Sequence, residues 1–205
     1  MASVPVRYTL NWQAANPQTS RLQSDRGIEG NRHMFVLING AFGIGKSTVA
    51  RELRSLLPQS LIFDPEWVGL ALQRIPGRKV ADFQDLPSWR RLTVLGARCL
   101  GAVRIRTPII IPLAFSNRAY LDEVCSGIAK SHRPVLHFCL TAPIEVVRER
   151  LRARGEPEGD PAWSWVHRRA AECCVAHQSP AFAMHVPADK GSPAMTAAEL
   201  AALVR

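Results

Sequence analysis

The sequence predicts an α/β protein: a parallel five-stranded sheet with helices on both faces and a small lid. Three observations lead there. Short apolar runs alternate with longer segments of helical period from Met34 to the C-terminus. The first run, residues 34–39, is apolar without alternation, the pattern of a strand buried on both faces. The segment that follows it is rich in glycine and leads directly into a helical pattern.

The elements follow in order. Residues 1–33 are polar and lack a sustained period, so they read as an N-terminal extension, with Met34 as the natural start of a domain over 34–205. After the first strand, residues 47–57 place Val49, Ala50, Leu53, Leu56 and Leu57 on one helical face, and Pro58 stops the helix. Residues 61–63 form a second strand ending at Asp64-Pro65-Glu66. Residues 82–90 read as a loop feeding a helix over 89–103, with Asp85 or Ser88 as its cap and Trp89 in the core. A third strand spans 107–113, and Asn117 is placed to cap a helix over 120–129. A fourth strand over 134–140 precedes a helix over 143–154 with Pro143 in its first turn. Residues 155–161 are a Gly/Pro/acid loop, 163–177 a helix and 183–186 a weak fifth strand. Thr196 and Glu199 have capping-box spacing and begin a short final helix.

Composition narrows the function. Among 205 residues, 47% are hydrophobic and 21% charged, which excludes wholesale disorder. No apolar run reaches the roughly 18–20 residues that span a bilayer, and no secretory signal opens the chain. A cytoplasmic protein without integral membrane association, monomeric or homodimeric, is the expectation. The formal net charge of +9 comes almost wholly from arginine. It fits an anionic partner, although a compositional bias toward arginine and alanine is the favoured reading of the total. No helix-turn-helix, RNA-binding aromatic pair or helicase motif accompanies it, so no nucleic-acid partner is expected. The five cysteines show neither paired nor zinc-like spacing and read as buried free thiols. The histidines form no evident site, and His137, inside a strand pattern, reads as a satisfied core residue.

The chemistry concentrates in Gly40-Ala41-Phe42-Gly43-Ile44-Gly45-Lys46-Ser47, followed by Thr48. It matches the phosphate-loop pattern at every fixed position, between a strand and a helix as that motif requires. Glycines let the backbone curl around a phosphate, and the amides at the helix start face that anion. Lys46 would reach the β- and γ-phosphates, and the Ser47 hydroxyl would ligate Mg²⁺.

Other candidates surround it. Asp64 and Glu66, at the carboxyl edge of the sheet, suit orienting a hydroxyl, accepting its proton or holding Mg²⁺; a turn before a helix is the competing reading. Arg150 and Arg154 share a helix face beside the 155–161 loop, placed to neutralise a transferring phosphoryl group under a flap. Their neighbours Arg148 and Arg152 read as a solvated helix end. Asp82, Gln84, Asp85 and Arg90 would line an acceptor pocket, if they do more than feed the next helix. Asn117 and Arg118 face the same edge, although capping is the simpler role for Asn117.

Several strings together resemble the tunicamycin-resistance ATP-binding proteins: residues 38–48, 63–69 and 82–90 in order, then Ile111-Pro112-Leu113, residues 151–155 and Trp163. The resemblance runs from Met34 to the end. It implies a P-loop NTPase fold of the small-molecule kinase type, with ATP and Mg²⁺ as cofactors. It also implies phosphorylation of a hydroxyl on a nucleoside-like antibiotic, or its sequestration unmodified. By the same resemblance Gly40, Gly43, Gly45, Lys46, Ser47 and Thr48 hold the nucleotide. Asp64 is the metal-linked or basic carboxylate, and Arg150 and Arg154 are lid arginines. The third strand ends without the aspartate many such proteins carry there, which leaves Asp64 as the carboxylate near Mg²⁺.

Overall fold

The computed structural model describes residues 34–73, 82–161, 163–182 and 184–204; residues 1–33, read above as an extension, lie outside them. Five parallel strands form one sheet in the order β2-β3-β1-β4-β5. They are β1 (Phe35–Gly40), β2 (Leu61–Ile62), β3 (Ile109–Leu113), β4 (Val135–Thr141) and β5 (Met184–Pro187). β1 is central, with Phe35 opposite Ile109 on one side and Val135 on the other. Flanked on both edges and covered on both faces, it has no polar side to show, which is why its sequence is apolar without alternation.

Alternate residues of the strands feed two cores. Val36, Ile38, Ile110, Phe138 and Leu140 pack with α1 (Lys46–Leu56), α5 (Ile144–Ala153), α6 (Ser164–Ala176) and α7 (Pro193–Val204). Phe35, Leu37, Ile109, Ile111 and Cys139 face α3 (Pro87–Val103) and α4 (Arg118–Ala129). Every β-segment runs the same way, so all five carboxyl ends, and the loops that leave them, meet on one edge.

The structure departs from the sequence reading in several places. A helix, α2 (Glu66–Gln73), follows the Asp64-Pro65 turn, which the competing reading of those carboxylates allowed and the order of elements left out. Its Gly69 hid the pattern: a Cβ there would stand 2.4 Å from the Phe83 ring, so close packing, not helix propensity, selects glycine. Neither Asp85 nor Ser88 caps α3. Leu86 precedes it without a side-chain cap and Pro87 opens it, whereas Asp82 caps the short turn Phe83–Asp85. Thr196 is buried inside α7, which starts at Pro193, and Ser192 Oγ accepts the Met195 amide instead. Leu56 and Cys99 are exposed, because each stands on the outer side of its helix. Asn117 does cap α4, accepting the amides of Ala119 and Tyr120. Trp89 is in the core, its indole donating to Pro65 O.

Candidate active site

The phosphate loop begins where β1 ends. Gly43 and Gly45 take φ of +80° and +108°, which L side chains rarely adopt. Gly45 precedes α1 and supplies no side-chain cap, so the Lys46 and Ser47 amides are placed for an anion, while the Thr48 amide already donates to Gly45 O at 3.0 Å. A Cβ at Gly43 would sit 2.7 Å from Leu151 of α5, so this glycine also serves close packing. Lys46 is 7% exposed, and its Nζ donates to Ala41 O at 3.0 Å and lies 5.4 Å from the centre of the Phe42 ring. Phe42 meets Trp165 of α6 edge to face, packing that helix against the loop. Ser47 is exposed at the start of α1.

Facing the loop are the two carboxylates after β2. Asp64 Oδ1 accepts the Glu66 amide at 3.0 Å, which fixes the turn and starts α2. Burial raises the Glu66 pKa above the usual carboxylate value, against the opposing pull of Lys46. Burial likewise lowers the Lys46 pKa, opposed by the charges of Glu66 and Asp64. Glu66 is therefore the carboxylate most strongly coupled to the loop lysine, ahead of the Asp64 that sequence reasoning favoured. Arg154 contributes to the field at both Lys46 and Glu66 and is ion-paired with Glu156 at 2.8 Å.

The other expected residues are placed differently. Arg150 does not hang free: it donates to Ile44 O at 2.7 Å and to Ala188 O at 2.8 Å, stapling the phosphate loop to the segment after β5. Arg90 is buried, donating to Glu123 at 2.6 Å and to Gln84 O at 2.7 Å, with its guanidinium 3.9 Å from the centre of the Tyr120 ring. Asp82 and Gln84 are buried and Asp85 exposed, so the three do not form one surface. The 155–161 loop is anchored: Arg148 pairs with Glu158 at 3.3 Å, and His167 Nε2 lies 2.8 Å from Glu156 O.

Three polar side chains at this edge escaped the sequence reading. Arg169 of α6 makes an ion pair with Asp82 at 3.0 Å, donates to Ser116 Oγ at 3.1 Å and meets Glu172, so it ties α6 to the segment after β3 and to the turn at Phe83–Asp85. Asn39, fully buried, donates to Phe115 O and accepts the Phe115 amide at 2.8 Å. His177 Nε2 stands 2.8 Å from the same Phe115 carbonyl. This polar node holds the carboxyl end of β3 beside the loop. Its only sequence signal was an asparagine closing an otherwise apolar strand. His137, expected to be a satisfied core residue, has an Nε2 buried without a partner.

A groove of about 670 Å³ runs from the phosphate loop at Ala41 and Ile44 to the β4–β5 side, where Thr141, Glu145, His177 and Lys190 line it. Mg²⁺ on a nucleotide takes one or two protein oxygens besides phosphate and water. The exposed Ser47 hydroxyl and the half-buried carboxylates of Asp64 and Glu66 suit that donor set, since an acid whose pKa burial raises gains from a nearby cation.

The family model described as an AAA domain matches residues 35–173. The Deinococcus radiodurans tunicamycin resistance protein superposes with a TM-score of 0.69 at 32% identity, over 84% of this chain and 96% of that one. A gluconokinase from Sinorhizobium meliloti 1021 gives a TM-score of 0.61 at 16% identity, over 84% and 92%. A shikimate kinase from Bacteroides thetaiotaomicron gives 0.53 at 16% identity, over 83% and 98%. These last two share the fold, that of P-loop small-molecule kinases. Among curated proteins, none matches the sequence.

Proposed function

The chain belongs to the AAA-domain family, and to the family of the Deinococcus radiodurans tunicamycin resistance protein, and on that premise we propose that it is a phosphotransferase. It transfers the γ-phosphoryl group of ATP to a hydroxyl of a nucleoside-like small molecule, tunicamycin being the first to test. The observation that carries this reading is the phosphate loop with Lys46 buried behind it, and the half-buried Glu66 of α2 near enough for its charge to oppose the lowering of the Lys46 pKa. One side grips phosphate; the other handles a proton.

The loop amides and Lys46 hold the β- and γ-phosphates, with Lys46 exchanging its bond to Ala41 O for phosphate oxygen. Mg²⁺, when bound by Ser47 and Asp64, offsets charge on the phosphate oxygens. The acceptor oxygen bonds to the γ-phosphorus as the bridge to the β-phosphate breaks, and ADP leaves. The hydroxyl proton passes to a carboxylate, and Glu66, with its raised pKa, is the better acceptor. Asp64 orients the hydroxyl, and Arg154 neutralises the transferring group. Arg150 positions the loop and the wall after β5. Asp82, Gln84, Asp85 and Arg90 act on the acceptor side by shaping that wall, with Arg169 as their link to the lid.

The test is transfer of labelled phosphate from ATP to tunicamycin. Turnover beyond one phosphate per chain is expected. Glu66→Gln should lower the rate more than about hundredfold with ATP affinity kept, and should abolish the rise of rate with pH through the Glu66 ionisation. Drug bound at one equivalent and recovered unmodified under saturating Mg-ATP would replace catalysis with sequestration.

A further inference from the structure

Between residues 152 and 159 every side chain is exposed except one, Glu156, of which 7% is accessible. The way α5 ends puts it there. Gly155, at a φ of +82°, donates its amide to Arg152 O at 2.9 Å, and the Glu156 amide donates to Leu151 O at 3.0 Å. This pair of bonds is a Schellman ending, and it folds the residue after the glycine back against the helix. From the other side His167 Nε2 lies 2.8 Å from Glu156 O; a carbonyl only accepts, so that nitrogen carries the proton. The position is one that an apolar side chain commonly fills by packing on the helix's last turn. Here it holds a carboxylate.

That carboxylate does little for the fold. Its Oε1 accepts Arg154 Nη2 at 2.8 Å, while Oε2 is buried with no partner. The Arg154 side chain is 60% exposed, so water screens its half of the attraction, whereas the acid bears desolvation with one oxygen unsatisfied. What the pair does achieve is direction. Arg154 is the arginine whose charge reaches both Lys46 and Glu66. A long exposed side chain samples many rotamers, and ordering it during the reaction costs rate. Glu156 takes one donor of the guanidinium and leaves the rest of its planar fork for phosphate oxygens.

We propose that Glu156 is the positioning residue for Arg154: a buried carboxylate, anchored by the end of α5 and by His167, that fixes the guanidinium by one nitrogen and leaves its other donors to the transferring phosphoryl group. This rests on the phosphotransferase reading and adds to it a residue that acts only through Arg154.

The experiment follows two reactions of the full-length protein: labelled-phosphate transfer from ATP to tunicamycin and, without the drug, hydrolysis of ATP by water. Glu156→Gln keeps the shape and removes the charge. It should lower kcat for both at least about tenfold and leave KM for ATP within about twofold, because an aimed charge acts on the transferring group and not on ground-state binding. The melting temperature should stay unchanged or rise, since a desolvated charge is removed. In an Arg154→Ala background the same change should alter the rates by no more than about twofold. Glu158→Gln, which removes a charge from an exposed place in the same loop, should leave both rates unchanged. A merely structural role would unfold Glu156→Gln or slow it equally in both backgrounds, and a general field effect would slow Glu158→Gln as much; each of these results overturns the inference. So would a faster Glu156→Gln protein, the mark of a latch that restrains Arg154. Full rates in Glu156→Gln would overturn this inference and leave the phosphotransferase reading standing. Hydrolysis that depends on the pair, without transfer to tunicamycin, would support the inference and remove tunicamycin as acceptor. Absence of both reactions in the parent would overturn the two together.

Discussion

Replacing Gly43 with alanine separates two demands that the phosphate loop makes on its glycines. Gly43 and Gly45 both have left-handed backbones, so an alanine at either costs about 1–2 kcal/mol in conformation. At Gly45 the added methyl meets nothing within 4 Å, and that is the whole cost in the unliganded protein. At Gly43 it lands 2.7 Å from both Cγ and Cδ2 of Leu151, a fully buried residue of α5. Overpacking of that kind costs about 1–3 kcal/mol more. Gly43→Ala should therefore be the less stable variant by about 1–3 kcal/mol, or about 2–12 °C in melting temperature for a chain of this size. Urea and thermal unfolding without nucleotide would measure it. Leu151→Ala alone should cost about 2–5 kcal/mol by leaving a cavity. Combined with Gly43→Ala it should cost less than the sum, because the new methyl occupies space the leucine gave up. Gly45→Ala should lose more in nucleotide affinity than in stability, since its methyl enters the concavity meant for phosphate. Equal destabilisation by the two alanines, or simple additivity with Leu151→Ala, would refute the claim that the loop is held against α5 by contact.

Three further outcomes follow from the same geometry. Lys46→Ala should leave the melting temperature unchanged or raised, because a buried ammonium is removed, yet lower phosphate transfer by at least about hundredfold in the labelled-ATP assay. Arg150→Ala should cost about 2–3 kcal/mol in urea unfolding by releasing two backbone carbonyls, and Arg150→Lys should restore only part, since an ammonium cannot span both. Acid should weaken the fold: burial lowers His177 to about 4 and His137 to about 3, so both stay neutral in the folded chain while the unfolded chain protonates them below about 6.5. Stability is full above that value and is lost as pH falls through it; at pH 5 each histidine accounts for about 2 kcal/mol, which urea midpoints at pH 7.5 and pH 5 would show and His177→Gln would halve.

What could be read early was what depends on neighbours in the chain. The strand-loop-helix unit, the parallel sheet and the Asn117 cap each rest on local spacing, burial period or a side chain bonding two residues away. Asp64 was legible as a candidate because an Asp-Pro turn after a strand is a local event. Glu66 ranked below it because its coupling to Lys46 arises across the sheet edge, between residues twenty positions apart.

The misses share that cause. Arg150 and Arg154 have equal standing as helix-end arginines four apart, yet one is consumed by the carbonyls of Ile44 and Ala188 and the other pairs with Glu156 while its charge reaches Lys46 and Glu66. Arg169 has meaning only beside Asp82 and Ser116, which arrive from segments more than fifty residues away. Asn39 and His177 meet over Phe115 because three different elements end at one level of the sheet.

The chain by itself determined that a phosphate is gripped, since glycine torsions, free amides and the adjoining lysine are all encoded within eight consecutive residues. Tertiary structure alone decided which carboxylate opposes that lysine and which partners hold Arg150 and Arg154. A buried charge takes its strength and its partner from whatever the fold packs around it, and those groups are scattered along the sequence.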